Sequence, residues 1–229
     1  MNPDATPADT GRPLVVLHAD GALLVLVKPS GLLAVPGRGE DKQDCLSRRA
    51  QVQWPDARVV HRLDMSTSGL VVMARGLEAQ RALSRAFEQR RVHKRYMAVV
   101  AGQLANPLPD NGWNTIDLPL AVDWVNRPRS MVCHATGKPS LTRWRLAEPQ
   151  TPNGYTGIGT RVELEPVTGR THQLRVHLQA SGHPIVGDAL YATPDQQALS
   201  KRLLLHADML ELPHPVTGQM LRFHSPCPF

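Results

Sequence analysis

At 229 residues the chain is long enough for one sizeable domain or two small ones, burying roughly 70% of the unfolded surface. Its 41% apolar and 20% charged content excludes a disordered or fibrous chain, and 4% aromatic content argues against a long base-stacking platform. Basic residues outnumber acidic ones 26 to 20, and the net charge of +6 points to an anionic partner; 21 of the 26 are Arg, whose planar fork matches phosphate and carboxylate, although genomic codon bias gives the same preference over Lys.

Residues 1–13 are polar and Pro-containing and read as a flexible tail. Leu14–Leu17 and Ala22–Val27 are β-rich runs around Asp20-Gly21, a hairpin signal. Lys28-Pro29-Ser30-Gly31 breaks the second strand, because Pro removes a donor and Gly permits positive φ. A short helix is expected over Asp41–Gln53, and Gly69–Ala74 is a buried strand by composition. Leu77–Arg90 is the clearest helix: Ala79, Ala82, Leu83, Ala86 and Phe87 share one face, away from Glu78, Arg81, Arg85 and Glu88. Strands are expected at Tyr96–Val100, Leu141–Leu146 and Thr160–Glu165, with surface loops over 102–115 and 148–159. Thr171–Ser181 is ambiguous by period, but Gly182 and Pro184 just beyond it favour a helix. Leu203–Leu212 and Gln219–His224 form a closing hairpin around Pro213–Gly218. With no repeat or linker between residues 14 and 224, one mixed α+β domain is the economical reading.

The three cysteines, Cys45, Cys133 and Cys227, are far apart and form no CxxC pair, which suits reduced thiols in the cytosol. The N-terminus carries two Asp and lacks the apolar core of a signal peptide, and no apolar run approaches the roughly 18 residues of a membrane span. A cytoplasmic protein is expected.

Four segments could carry chemistry. In His61-Arg62-Leu63-Asp64-Met65-Ser66-Thr67-Ser68-Gly69-Leu70, a carboxylate precedes a buried strand, where rigid structure would aim a nucleophile or base. The same Asp would equally serve the following Ser-Thr-Ser turn by accepting backbone N–H groups. In Gly169–Leu178, Arg170, His172, Arg175 and His177 could meet phosphate at a helix N-terminus. A metal fits poorly there, because His172 and His177 are five apart and fall on different faces of a helix or strand. Arg75–Arg95 holds seven basic and two acidic residues, and Arg90-Arg91-Val92-His93-Lys94-Arg95 has no acidic neighbours to balance its field. Gly31–Gly39 is Gly-rich but has no following Gly-Lys-Ser/Thr, so nucleotide-triphosphate chemistry is unsupported.

HRLDMSTSGL, KRYMAVVAG and GRTHQLRVHLQASGHPIVGDALY, in that order, resemble the three core blocks of the RluA-type pseudouridine synthases. VLVKPSGLLAVPG and RLLLHADML resemble that family too, so the likeness spans about residues 14–224. VPGR at 35–38 and DWVNRPRSMVCHATGKPS at 123–140 resemble its branch acting on both tRNA and large-subunit rRNA. The resemblance implies a single α+β catalytic domain over 14–229. It would hold a mixed, largely antiparallel sheet flanked by helices and loops around an RNA-binding cleft, without an S4-like domain.

What the resemblance implies for chemistry is an isomerisation: the N1–C1′ bond of a uridine is cut, the uracil turns, and C5 joins C1′. Asp64 would be the nucleophile, attacking ribose C1′ or uracil C6, or acting through a glycal route. Arg175 would pair with it and keep it ionised. Tyr96 would stack on the uracil and relay the C5 proton. Arg62 would occupy the space of the extruded base, and Leu174 with Leu204 or Leu205 would close the pocket. His61, Thr67, Arg170 and His172 join them on the substrate side, and Arg90, Arg91 and Lys94 would grip phosphates. The uridine must be flipped from its stack, which favours loops such as tRNA anticodon loops and 23S rRNA hairpins. No metal or cofactor, no membrane and no obligate protein partner are implied, and a monomer is expected. The rivals are an RNA-binding protein without catalysis and a hydrolase that frees uracil.

Overall fold

The computed structural model describes residues 13–104, 112–147 and 158–229. Residues 1–12 of the expected tail, and 105–111 and 148–157 of the two expected loops, lie outside them. In chain order the elements begin with β1 (Val15–Ala19), β2 (Leu23–Lys28), α1 (Leu46–Gln53), β3 (Ala57–Val59), β4 (Ser68–Arg75) and α2 (Gly76–Glu88). Six strands follow: β5 (His93–Ala101), β6 (Asn114–Asp117), β7 (Leu120–Val122), β8 (Ser130–Val132), β9 (Leu141–Leu146) and β10 (Gly159–Pro166). Then come α3 (Gln173–Ala180), α4 (Pro194–Ala198), β11 (Leu205–Pro213) and β12 (Met220–His224). The class is α+β, with antiparallel sheets flanked by helices.

These elements gather into two compact units that interleave along the chain. The first runs to Lys94 and resumes over Ala207–Cys227; the second spans Arg95–His206 with Pro228–Phe229. Two of the crossings fall inside strands, β5 and β11, so no linker composition marks them.

In the first unit the strand order is β1-β2-β4-β11, with β3 beside β4 and β12 beside β11. The β1–β2 turn closes as its Asp-Gly signal predicts: Asp20 Oδ1 accepts the N–H groups of Ala22 and Leu23 at 2.7 and 2.8 Å. β4 is buried along nearly its whole length, which explains its unalternating sequence. Gly69 within it has φ +115, and a Cβ there would stand 2.3 Å from the Ala207 carbonyl oxygen. Only glycine admits β11 so close. α2 buries Ala79, Leu83 and Ala86 among Leu23, Val25, Leu70 and Val72; burying Leu83 alone contributes about 1.5–3 kcal/mol.

In the second unit the order is β5-β10-β9-β6, antiparallel throughout. β10 alternates: Val162 and Leu164 enter the core, while Glu163 meets Arg145 of β9 at 2.6 Å on the other face. α3 lays Leu174 and Leu178 on this core. Its start is shaped by Gln173, whose Oε1 accepts from Arg170 N (3.0 Å) and Thr168 Oγ1 (2.7 Å). Gly182, at φ +82, follows its end as expected.

Several boundaries differ from the sequence expectation. The helix expected from Asp41 starts only at Leu46, after a 3-10 turn over Glu40–Lys42, because Cys45 bridges Leu33 in extended backbone. α2 stops at Glu88 because Arg90 turns to φ +56, and β5 starts three residues before Tyr96. Asn114 and Thr115, expected in a loop, belong to β6. β7 and β8 are three residues each, too short for a period to show, and the polar Asp123–Arg129 stretch between them reads as loop.

Candidate active site

Asp64 lies in the loop between β3 and β4, half-buried, between the exposed Arg62 and the buried Ser66-Thr67-Ser68. Its carbonyl accepts Thr67 N at 3.2 Å, closing a tight turn. The Lys28-Pro29-Ser30-Gly31 break at the end of β2 clamps that turn. The fully buried Lys28 ammonium donates to the carbonyls of Met65 (2.9 Å), Leu32 (2.7 Å) and Pro29 (2.8 Å). Ser30 Oγ donates to Ser66 O at 2.7 Å, and Gly31 N to Met65 O at 2.9 Å. Two separated sequence blocks thus make one rigid seat for a carboxylate, as a nucleophile requires.

His61 supports the same loop from inside. Its ring stacks on Phe87 of α2 with centroids 4.8 Å apart, and Nε2 accepts the Val72 N–H at 2.9 Å. Burial, reinforced by the nearby Lys94 charge, pushes its pKa down to about 3. A neutral ring with that nitrogen engaged offers no charge to phosphate; the visible role of His61 is to hold β4. Thr67, only 2% exposed, is likewise packed inside the turn.

In the second unit Arg175 projects from α3 and is 1% exposed. Asp188 holds its guanidinium bidentately, through Nε–Oδ2 at 2.8 Å and Nη2–Oδ1 at 2.7 Å. Asp188 Oδ1 also accepts Leu190 N and Tyr191 N. The Tyr191 ring underlies the guanidinium at 5.2 Å, and its hydroxyl joins His172 Nδ1 (2.8 Å) to the Ser130 N–H (2.7 Å). A buried cation is thereby fixed in direction and charge. Tyr96 of β5 packs half-buried against the core cluster that contains Leu174, Leu204 and Leu205, so the structure brings together the aromatic and apolar residues expected to form the pocket. Arg170 is exposed, and its guanidinium reaches the Pro139 carbonyl at 3.4 Å. His177 is a satisfied core histidine: its two ring nitrogens meet Thr142 Oγ1 at 2.9 Å and Leu118 O at 3.0 Å.

Asp188 and Tyr191 escaped the sequence reading. The available signal was a carboxylate in the apolar run Ile185-Val186-Gly187-Asp188-Ala189-Leu190, since a charge so placed needs a partner.

The basic segment divides by exposure. Arg90 and Arg91 are exposed, and Arg85 and Arg91 line a cleft of about 390 Å³ between the end of α2 and the Pro213–Gly218 turn. Lys94 is half-buried in β5, and burial lowers its pKa. Among the described residues, no group of three or more His, Cys, Asp or Glu gathers as a metal site would require.

The family model for RNA pseudouridylate synthase matches residues 22–180, which include both the Asp64 loop and α3. The chain is 48% identical over 216 residues to the dual-specificity RNA pseudouridine synthase RluA of Escherichia coli O6:H1, covering 94% of each. The protein of the same name from Yersinia pestis is 45% identical, over 94% of this chain and 100% of that one. Among solved structures, human RNA pseudouridylate synthase domain containing 1 matches with a TM-score of 0.76 at 30% identity, covering 97% of this chain and 86% of that chain. The clamped carboxylate loop and the buried arginine thus sit in a chain that belongs to the RNA pseudouridylate synthase family, in its RluA-type branch, and is an isomerase acting on RNA.

Proposed function

We propose that the chain isomerises uridines in the loops of structured RNA, both tRNA anticodon loops and 23S rRNA hairpins, with Asp64 as nucleophile. The relatives that match over nearly their whole length are dual-specificity RNA pseudouridine synthases, which supports two kinds of RNA substrate. The observation that carries the chemistry is the clamp of Lys28, Ser30 and Gly31 on the Asp64 turn. A carboxylate stays ionised at neutral pH, and covalent catalysis splits one hard step into two. Asp64 bonds to ribose C1′ or uracil C6 as the N1–C1′ bond breaks, the uracil rotates, and the C5–C1′ bond forms; the Asp64 bond is then released, the C5 proton leaves and N1 takes one up, so the mass is unchanged. Tyr96 stacks on the ring and serves the proton loss, Arg175 supplies positive charge favouring the carboxylate, and Leu174 keeps the pocket dry.

RNA carrying tritium at uridine C5 tests this reading. The wild-type protein releases the label with tRNA and with 23S rRNA fragments, and Asp64→Asn binds the same RNA without releasing it. Turnover near wild type in Asp64→Asn removes the nucleophile assignment. Free uracil and an abasic ribose in place of an isomer of unchanged mass would make the protein a hydrolase.

A further inference from the structure

We propose that the tip of the β7–β8 hairpin is a docking surface for unpaired nucleotides of the substrate RNA, with Trp124 as the stacking group. β7 and β8 form a two-stranded sheet of their own. The turn joining them leaves Trp124 72% and Val125 91% exposed, among the largest exposures of any bulky apolar side chain in the described residues. The Arg127 guanidinium lies over the Trp124 ring at 3.5 Å. That stack holds the indole in one orientation, with a cation already beside it.

Charge decides the kind of partner. Arg127 and Arg129 are exposed at the tip and Lys138 follows nearby. The single carboxylate among them, Asp123, is engaged in the turn: its oxygens accept the backbone N–H and side-chain amide of Asn126 at 3.0 and 2.9 Å. An exposed aromatic next to unbalanced arginines is how proteins hold single-stranded bases and their phosphates. A protein partner fits less well, because a stable contact needs roughly 800 Å² per side, more than two or three tip residues offer.

The hairpin is also tied to the proposed pocket. Its residue Ser130 donates its N–H to the Tyr191 hydroxyl, and Tyr191 underlies Arg175 and bonds His172. RNA bound at the tip is therefore gripped by an element anchored on the helix that carries Arg175. This inference rests on the RNA-modifying reading above.

The test uses a short synthetic RNA hairpin with a uridine-rich loop, and the same stem as a blunt duplex. Trp124→Ala weakens hairpin binding by roughly 5- to 150-fold, the loss of one base–aromatic stack, and raises KM. Trp124→Phe recovers most of that affinity, and duplex binding changes little in either variant. Hairpin affinity unchanged in Trp124→Ala, or an equal loss on the duplex, overturns the docking surface and leaves the tip to a protein partner. Wild type that binds the hairpin but releases no tritium overturns the isomerase reading instead, and the Trp124 comparison still decides this one.

Discussion

Asp188 grips the Arg175 guanidinium with two hydrogen bonds, at 2.7 and 2.8 Å, in a site where both side chains are 1% exposed or less. The pair fixes the direction of a buried cation on α3, and it explains why a carboxylate stands in an apolar stretch. Removing Asp188 takes the bidentate partner from a buried cation. Asp188→Ala is expected to lose about 3–5 kcal/mol in urea unfolding. The double variant Arg175→Met/Asp188→Leu should regain part of that stability, since an apolar pair of similar volume replaces the ions, yet show no tritium release. Recovery of activity in the double variant would free Arg175 from any catalytic role.

Lys28 is the second buried cation, and its three carbonyl partners include Met65, next to Asp64. Lys28→Met fills similar space but removes the ammonium donor to the Leu32 and Pro29 carbonyls, each at about 1–3 kcal/mol, and leaves the Met65 carbonyl to the Gly31 N–H. The expected result is a protein destabilised by roughly 2–5 kcal/mol that turns over slowly even where folded, because the turn bearing Asp64 loosens. Full activity in the folded fraction at low temperature would show that the clamp serves stability alone.

The pH dependence of stability follows from His61. Its folded pKa of about 3 lies below the ordinary 6.5, first because of burial and then because of Lys94. Between these values the unfolded chain binds a proton that the folded chain does not, so stability falls as pH drops from 6.5 toward 3. The slope from this one group approaches about 1.4 kcal/mol per pH unit in the middle of the window. Asp20 adds loss lower down: burial alone would raise its pKa, but hydrogen bonds from Ala22, His18, Leu23 and His214 bring it to about 2. Urea unfolding at pH 4.5 and 7 checks this, with His61→Phe expected to be less stable at pH 7 but flatter across the interval. An unchanged slope in that variant would place the acid sensitivity elsewhere.

How much of this was legible depended on range. The α2 stripe, the Asp20 turn and the buried β4 run are local patterns, and periodicity or turn chemistry reveals them. The Asp64 turn was legible as a motif, but its clamp joins Lys28 to Met65 across 37 positions, and nothing in either segment announces the other. His61, placed on the substrate side by the resemblance, packs its ring on Phe87 and accepts the Val72 N–H, contacts from residues 26 and 11 positions away that its own motif does not announce. Crossings inside β5 and β11 hide the division into two units, because each falls within a continuous strand and no Pro-, Gly- or Ser-rich linker stands at either point.

The exposed basic residues after α2 give the last prediction. Arg90 stands at φ +56 beyond the helix end and Arg91 lines the cleft with Arg85, so both present charge to solvent. Each phosphate contact with a single strand adds about 0.7 to the magnitude of the slope of log K against log salt, so Arg90→Ala/Arg91→Ala should reduce it by about 1.4. Binding weakens most at low salt, and the loss is the same for different RNA sequences, since phosphates carry no sequence. Lys94→Ala should change the slope less, because that side chain is half-buried and burial disfavours its charged form. Filter binding of the RNA hairpin across a salt series measures all three. A slope unaffected by the double substitution would move the phosphate path off this segment, leaving the Arg127–Arg129 tip of the β7–β8 hairpin as the basic surface to test next.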